Sequence, residues 1–114
     1  MSHMLIELYT PRAAWLALDE AARQAFFARI AVGMEELLGR GIRPMAFGAV
    51  DGALAHGAPQ RFFAIWQAPD AEGLKTLVEG ITLSGWHDYF ETLNAGGVGE
   101  DLQAHLQALA AVTA

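Results

Sequence analysis

Apolar residues recur along the chain with two periods, and the order of those periods predicts its elements. Leu5-Ile6-Glu7-Leu8-Tyr9 is a short β-prone run stopped by Thr10-Pro11, a pair suited to an N-cap and a first helical position. A short turn through Trp15 follows. Asp19 then has the chemistry to cap a long helix running to Gly39 or Gly41, in which Phe26, Phe27, Ile30, Met34, Leu37 and Leu38 recur at helical spacing. Glu20, Arg23, Arg29, Glu35 and Glu36 lie mostly off that face. Ile42 to Val50 reads as a second strand, with Pro44 marking an edge position or the strand's start. A turn-rich connection from Asp51-Gly52 through His56, Gly57 and Pro59 leads to a third strand, Arg61 to Ala68. There Phe62, Ala64 and Trp66 face one way and Phe63 and Ile65 the other, so the strand is expected to be central and covered on both sides. Pro69-Asp70 starts a second helix with Leu74, Leu77, Val78 and Ile81 as its buried stripe. Gly85-Trp86 leads into a fourth strand, Asp88 to Asn94. Gly96-Gly97-Val98-Gly99 reads as a flexible linker to a final helix over 100–112, with Leu102, Leu106 and Leu109 inward.

Strand, helix, strand, strand, helix, strand and a terminal helix make an α+β unit. It is the ferredoxin-like split βαβ, a four-stranded antiparallel sheet with helices on one face. The other sheet face is left bare by that topology, and its apolar content needs a cover. A partner sheet is the simplest one, so a homodimer is expected.

Composition supports that expectation. The 114 residues fit one domain over 4–114, with 54% apolar and 18% charged residues, an apolar excess for a small domain. The net charge of −6 and seven scattered Lys and Arg argue against nucleic acid, which is bound by clustered cations. Without cysteine there is no disulfide, thiolate nucleophile or Cys-ligated metal. No signal peptide or membrane span is read, so a cytoplasmic location and no membrane partner are expected. Residues 1–3 read as a probable cloning remnant ahead of Met4, and His3 is set aside from site reasoning.

The opening Glu7-Leu8-Tyr9-Thr10-Pro11 with Trp15, the strand Phe63-Ala64-Ile65-Trp66 and the block Gly85-Trp86-His87-Asp88-Tyr89-Phe90-Glu91 with Asn94 together resemble the dimeric α/β-barrel superfamily. That group contains cofactor-independent antibiotic-biosynthesis monooxygenases, muconolactone isomerase and stress-responsive barrel proteins. More narrowly, the chain resembles an uncharacterised family within the group. The resemblance implies a homodimer with one small-molecule pocket per protomer, between sheet and helices. It transfers no catalytic residue, since one fold hosts unrelated chemistries.

The densest set of proton-transfer groups is His87, Asp88, Tyr89, Glu91 and Asn94. Period-2 alternation puts His87, Tyr89 and Glu91 on one side of the fourth strand. His87, Glu91, Tyr89 and Glu7 are therefore the catalytic candidates, and a pocket walled by Trp66 and Phe63 would tune such a base by desolvation. His87 beside a turn and Glu91 pointing outward are equally the marks of solvated residues. Glu7 shares a strand face with Leu5 and Tyr9, and it becomes a buried carboxylate if that face is inward. Tyr9, Trp15, Phe63, Trp66, Trp86 and Asn94 are candidates for holding a planar ligand, although the aromatics serve equally well as core or dimer packing. His56, His87 and His105 lie in separate elements, which gives no metal-ligand spacing. Two functions remain open. One is an enzyme without a tightly bound cofactor, monooxygenase-like or isomerase-like, acting on a planar or aromatic substrate. The other is a non-catalytic ligand-binding or stress-associated dimer. Haem held by a histidine, as in some barrel relatives, is a weaker alternative.

Overall fold

A computed structural model describes residues 2–114. The sheet has the order β2-β3-β1-β4 and is antiparallel throughout, with β1 His3–Pro11, β2 Arg43–Ala49, β3 Phe62–Ala68 and β4 Phe90–Val98. The long helices α2 (Glu20–Gly39) and α3 (Ala71–Leu83) lie over one face, and the short α1 (Ala13–Leu16) and α4 (Trp86–Tyr89) close one end. A last helix, α5, spans Leu102–Ala110. This is the ferredoxin-like α+β arrangement expected from the element order.

Local chemistry sets the helix starts. Asp19 Oδ1 accepts from the Ala22 N–H (2.8 Å) and Asp70 Oδ1 from the Gly73 N–H (2.7 Å), so each aspartate satisfies one of the unpaired first-turn donors. Pro44 does lie on the edge strand, the position at which a sheet tolerates proline, and the ladder is irregular between Pro44 and Ala46.

The core follows the period-2 rule. Leu5 on β1 and Ala64, Trp66 and Ala68 on β3 are buried on the inner face beneath Leu77 of α3. A second buried cluster of Trp15, Phe26 and Phe90 fills the end where α1 and α4 meet β4, and Tyr9 touches both clusters.

Four details depart from the sequence reading. Strand β1 does not stop at Tyr9: Thr10 and Pro11 pair with Glu91 and Phe90, and Pro11 sits in the ladder rather than in a helix. Trp86–Tyr89 is a helical turn, because Gly85 at φ 85° reverses the chain out of α3 at a conformation that glycine adopts without strain. Gly96, Gly97 and Val98 are the end of β4, paired with Leu5, Met4 and His3, so the expected linker over 96–99 is mostly strand. The α5 leucines are exposed rather than inward, Leu102 at 71% and Leu106 and Leu109 at 55%.

The outer sheet face is as bare as the topology demands. Ile6 is 42% and Leu93 58% exposed, with Leu8, Phe63 and Ile65 only half-buried beside them, so the expected cover of β3 on both sides does not come from this chain. Phe63 lays its ring over Gly48, where an added Cβ would meet it at 2.9 Å; that close approach is why a glycine stands inside β2. No helix is long and apolar enough to cross a membrane among the described residues.

Candidate functional site

Between the inner sheet face and the two long helices lies a cavity of about 560 Å³, a size that accommodates a small organic ligand. Its floor is Glu7 and Tyr9 of β1, Ala64 and Trp66 of β3 and Phe47 of β2. Helix α2 supplies Ile30, Met34 and Leu37 as one wall; α3 supplies Leu77 and Ile81 as the other. Trp86 closes one end.

Glu7 is the unusual member of this floor. It is 4% exposed and the only buried charged residue type among the described residues. The Trp66 Nε1–H donates to Glu7 Oε1 at 2.9 Å, while Glu7 Oε2 is buried with no partner among the described residues. Burial pushes the Glu7 carboxyl above the ordinary carboxylate range, and the Trp66 hydrogen bond pulls only partly back. A carboxyl with one oxygen anchored and the other unpaired is positioned in space, and its burial favours the protonated form over the charged one. Trp66 is itself fixed, packed edge-on against Phe47 with ring centroids 5.2 Å apart.

Tyr9 stands two residues along the same face. Its ring is stacked on Phe62 and meets Trp86 and Phe90 edge-on at 5.2 and 5.6 Å, so three aromatics hold it. Burial raises its phenol above the usual range, and the nearby Glu7 charge adds to the shift, so it stays a hydrogen-bond donor. Trp86 stacks on Phe90 at 4.0 Å and keeps a buried Nε1–H without a partner among the described residues.

The cavity thus gathers Glu7, Tyr9, Trp66 and Trp86 of the residues singled out in the sequence. It does not gather the others. His87 and Tyr89 lie on α4, where their backbone carbonyls receive Arg12: the Arg12 Nε–H donates to the His87 carbonyl (3.0 Å) and the Arg12 N–H to that of Tyr89 (2.7 Å). Because α4 is helical, the alternation that aligned His87, Tyr89 and Glu91 does not exist. Glu91 is exposed, in register with Thr10 on the outer face. Phe63 is on the outer face as well, and Trp15 is buried in the aromatic end cluster. Asn94 pairs with Glu7 across β1 and β4 but is exposed and outside the cavity wall. Arg29, Arg40 and Phe47 are wall residues that the sequence reading missed, since no local pattern marks which polar positions of a helix overhang a cavity.

The donor set also bears on cofactors. Haem needs an axial ligand, and none of His56, His87 and His105 lines the cavity, so these residues do not fit the haem alternative. No group of three or more His, Asp or Glu side chains is placed to hold a metal ion among the described residues.

Comparison with known proteins places the chain in a family. The chain belongs to the family of unknown function DUF6616, whose profile matches residues 2–112. No curated protein matches it. Among solved structures it is similar to a double mutant of the chlorite dismutase from Candidatus Nitrospira defluvii, with a TM-score of 0.62 and 11% identity over 91% of this chain. It is also similar to a second chlorite dismutase-like structure, with a TM-score of 0.58 and 14% identity over 88% of this chain. This chain spans 43% and 45% of the length of those two proteins. At such identities the likeness shows the ferredoxin-like fold alone.

Proposed function

We propose that the protein is a small-molecule enzyme without a tightly bound cofactor, which moves a proton on a planar or aromatic substrate held in the Glu7 cavity. The observation that carries this reading is the half-paired Glu7 carboxyl, buried in an aromatic-walled space. A carrier protein gains nothing from that arrangement: an unpartnered buried oxygen costs stability, and such costs persist where chemistry uses them. In its ionised form Glu7 takes a proton from an acidic carbon of the substrate; the shifted carboxyl makes it a stronger base than a solvated glutamate. Tyr9 is the neighbouring donor for charge that develops on a substrate oxygen. Isomerisation and cofactor-free oxygenation both begin with this proton abstraction, in keeping with the resemblance to muconolactone isomerase and antibiotic-biosynthesis monooxygenases.

In this reading the protein works as a homodimer, with the outer faces stacked so that Ile6, Leu8, Ile65 and Leu93 leave water. A stable interface of that kind buries roughly 1,200–2,000 Å².

The test is solvent deuterium exchange into a planar enolisable ketone, 2-tetralone, followed by NMR. The wild-type protein is expected to exchange the acidic carbon position about 10²–10⁴-fold faster than Glu7→Gln, the range of a positioned acid–base group. Equal rates in the two proteins would sink the reading.

A further inference from the structure

The wall of α2 has two stripes. Ile30, Met34 and Leu37 form the apolar one, packed toward the core. Arg29, Gly33, Glu36 and Arg40 recur at helical spacing beside it and form the rim. The rim charges are not equivalent. Arg40 is tied to Glu36 at 2.9 Å, and Glu79 on the facing rim of α3 lies 4.0 Å from Lys75. Arg29 is in no ion pair among the described residues; its guanidinium rests over the Phe26 ring at 5.6 Å, which holds it by an aromatic face. Beside it the rim has a gap, because Gly33 presents no side chain and an added Cβ there would meet nothing within 4 Å.

We infer that the cavity takes a planar carboxylate, whose apolar body enters over Trp66 and Phe47 and whose carboxylate stays at the rim on Arg29. The inference rests on the cavity being a ligand site and adds which ligands it selects. Guanidinium matches carboxylate geometry with two parallel N–H donors, and Arg29 has those donors uncommitted to any acidic side chain. A ligand with its charge at the rim leaves an uncharged end for the floor, where the Glu7 carboxyl would repel a second negative group. It also explains how a protein of net charge −6 can hold an anion: one unmatched cation is set on a rim whose own acidic groups, Glu36 and Glu79, are already paired.

The experiment compares 2-naphthoate with its neutral isostere 2-naphthamide by calorimetric titration of the wild-type protein, Arg29→Gln and Arg29→Lys. Arg29 is exposed on α2, so both variants keep the fold, which circular dichroism checks. The wild type is expected to bind naphthoate about tenfold more tightly than the amide, in line with a charge-assisted hydrogen bond. That preference is expected to vanish in Arg29→Gln, to be partly kept in Arg29→Lys, and to shrink with added salt. Equal affinity for the two probes in the wild type overturns the anion assignment and leaves the cavity as a ligand site. A preference that survives in Arg29→Gln overturns the role of Arg29. Failure of both probes to bind overturns the inference together with the ligand-site reading beneath it.

Discussion

Strand β1 carries the chain's clearest contrast, because its two faces reverse the ordinary rule. On the inner face Glu7, a carboxylate, is buried; on the outer face its neighbour Ile6 is 42% exposed. A self-sufficient sheet would place the isoleucine inside and the glutamate in water. Both inversions cost stability in the isolated chain, and each points to something the chain does not contain. The inner one is accounted for by the proposed ligand, which would make use of a positioned carboxyl. The outer one calls for an apolar cover, which a second copy would supply by symmetry in the proposed homodimer. In the proposed function the two faces therefore separate chemistry from assembly, and changes to each should read out differently.

The largest effect is expected at Trp66, where inner-face packing and the Glu7 anchor coincide. Trp66→Ala removes a buried aromatic, a loss of about 3–5 kcal/mol in unfolding free energy, and strands Glu7 Oε1 as well as Oε2. Trp66→Phe keeps most of the packing and loses only the hydrogen bond, at about 1–3 kcal/mol. Urea denaturation measures both. If the two variants are equally stable, Trp66 is not the anchor described here.

The outer face is next. Ile6→Asp puts a charge where the proposed partner sheet lies and leaves the inner face untouched. Such a change in the middle of an interface costs about 2 kcal/mol or more of association energy. Light scattering should report a dimer for the wild type and a lighter species for the variant. A wild-type monomer at micromolar concentration would remove the assembly half of the contrast while leaving the cavity intact.

Much of this contrast was legible in the sequence. Alternation in Leu5–Tyr9 and Phe62–Trp66 put Glu7 with Leu5 and Tyr9, and Ala64 with Trp66, and the buried residues follow that pattern. Asp19 and Asp70 marked their helices for a local reason, the capping of free N–H groups. The block after α3 was misread for a reason equally physical. A residue string of aromatics and polars fits both a strand and a helical turn, and Gly85 at positive φ decides between them only when the end of α3 is in place. Gly96 and Gly97 have poor intrinsic strand propensity, but β1 offers them partners, so pairing overrides propensity. The α5 leucines show the converse: an amphipathic pattern says that a face wants burial, not that this chain can bury it. The candidate site suffered most from these errors. His87, Tyr89 and Glu91 were grouped by an alternation that the helical turn breaks, whereas Glu7 and Tyr9 were grouped by one that holds.

A smaller effect sharpens the inner half. Burial raises the Glu7 carboxyl in the folded chain above its unfolded value, so the folded state binds the proton more tightly. The stabilisation this gives is fully present below the unfolded carboxylate range. It falls as pH rises from there to the raised folded value, and is lost above it. Within that window the slope approaches about 1.4 kcal/mol per pH unit for one group. Glu7→Gln keeps an acceptor for Trp66 but cannot titrate. The difference in unfolding free energy between wild type and variant should therefore drift against the wild type as pH rises. Parallel stability curves across that window would show that Glu7 titrates as a solvated carboxylate does, and the case for a tuned base would go with it.

The smallest expected effect, at Gly33, distinguishes a cavity that is used from a core that is merely unfilled. Gly33 lies inside α2, lines the cavity and has nothing within 4 Å of where a Cβ would stand. Replacing a mid-helix glycine by alanine stabilises by about 0.5–1 kcal/mol through the backbone entropy of the unfolded chain. Gly33→Ala should therefore raise the unfolding free energy by that amount, with no clash to offset it. If the space beneath is simply loose packing, nothing else should change. If it is the entry gap beside Arg29, the added methyl narrows it, and 2-naphthoate should bind more weakly to a protein that is more stable. Stability and binding moving in opposite directions is what a functional gap predicts, because the glycine is then kept for access and not for folding. A variant that gained stability and bound naphthoate as well as the wild type would show that the gap is not the way in.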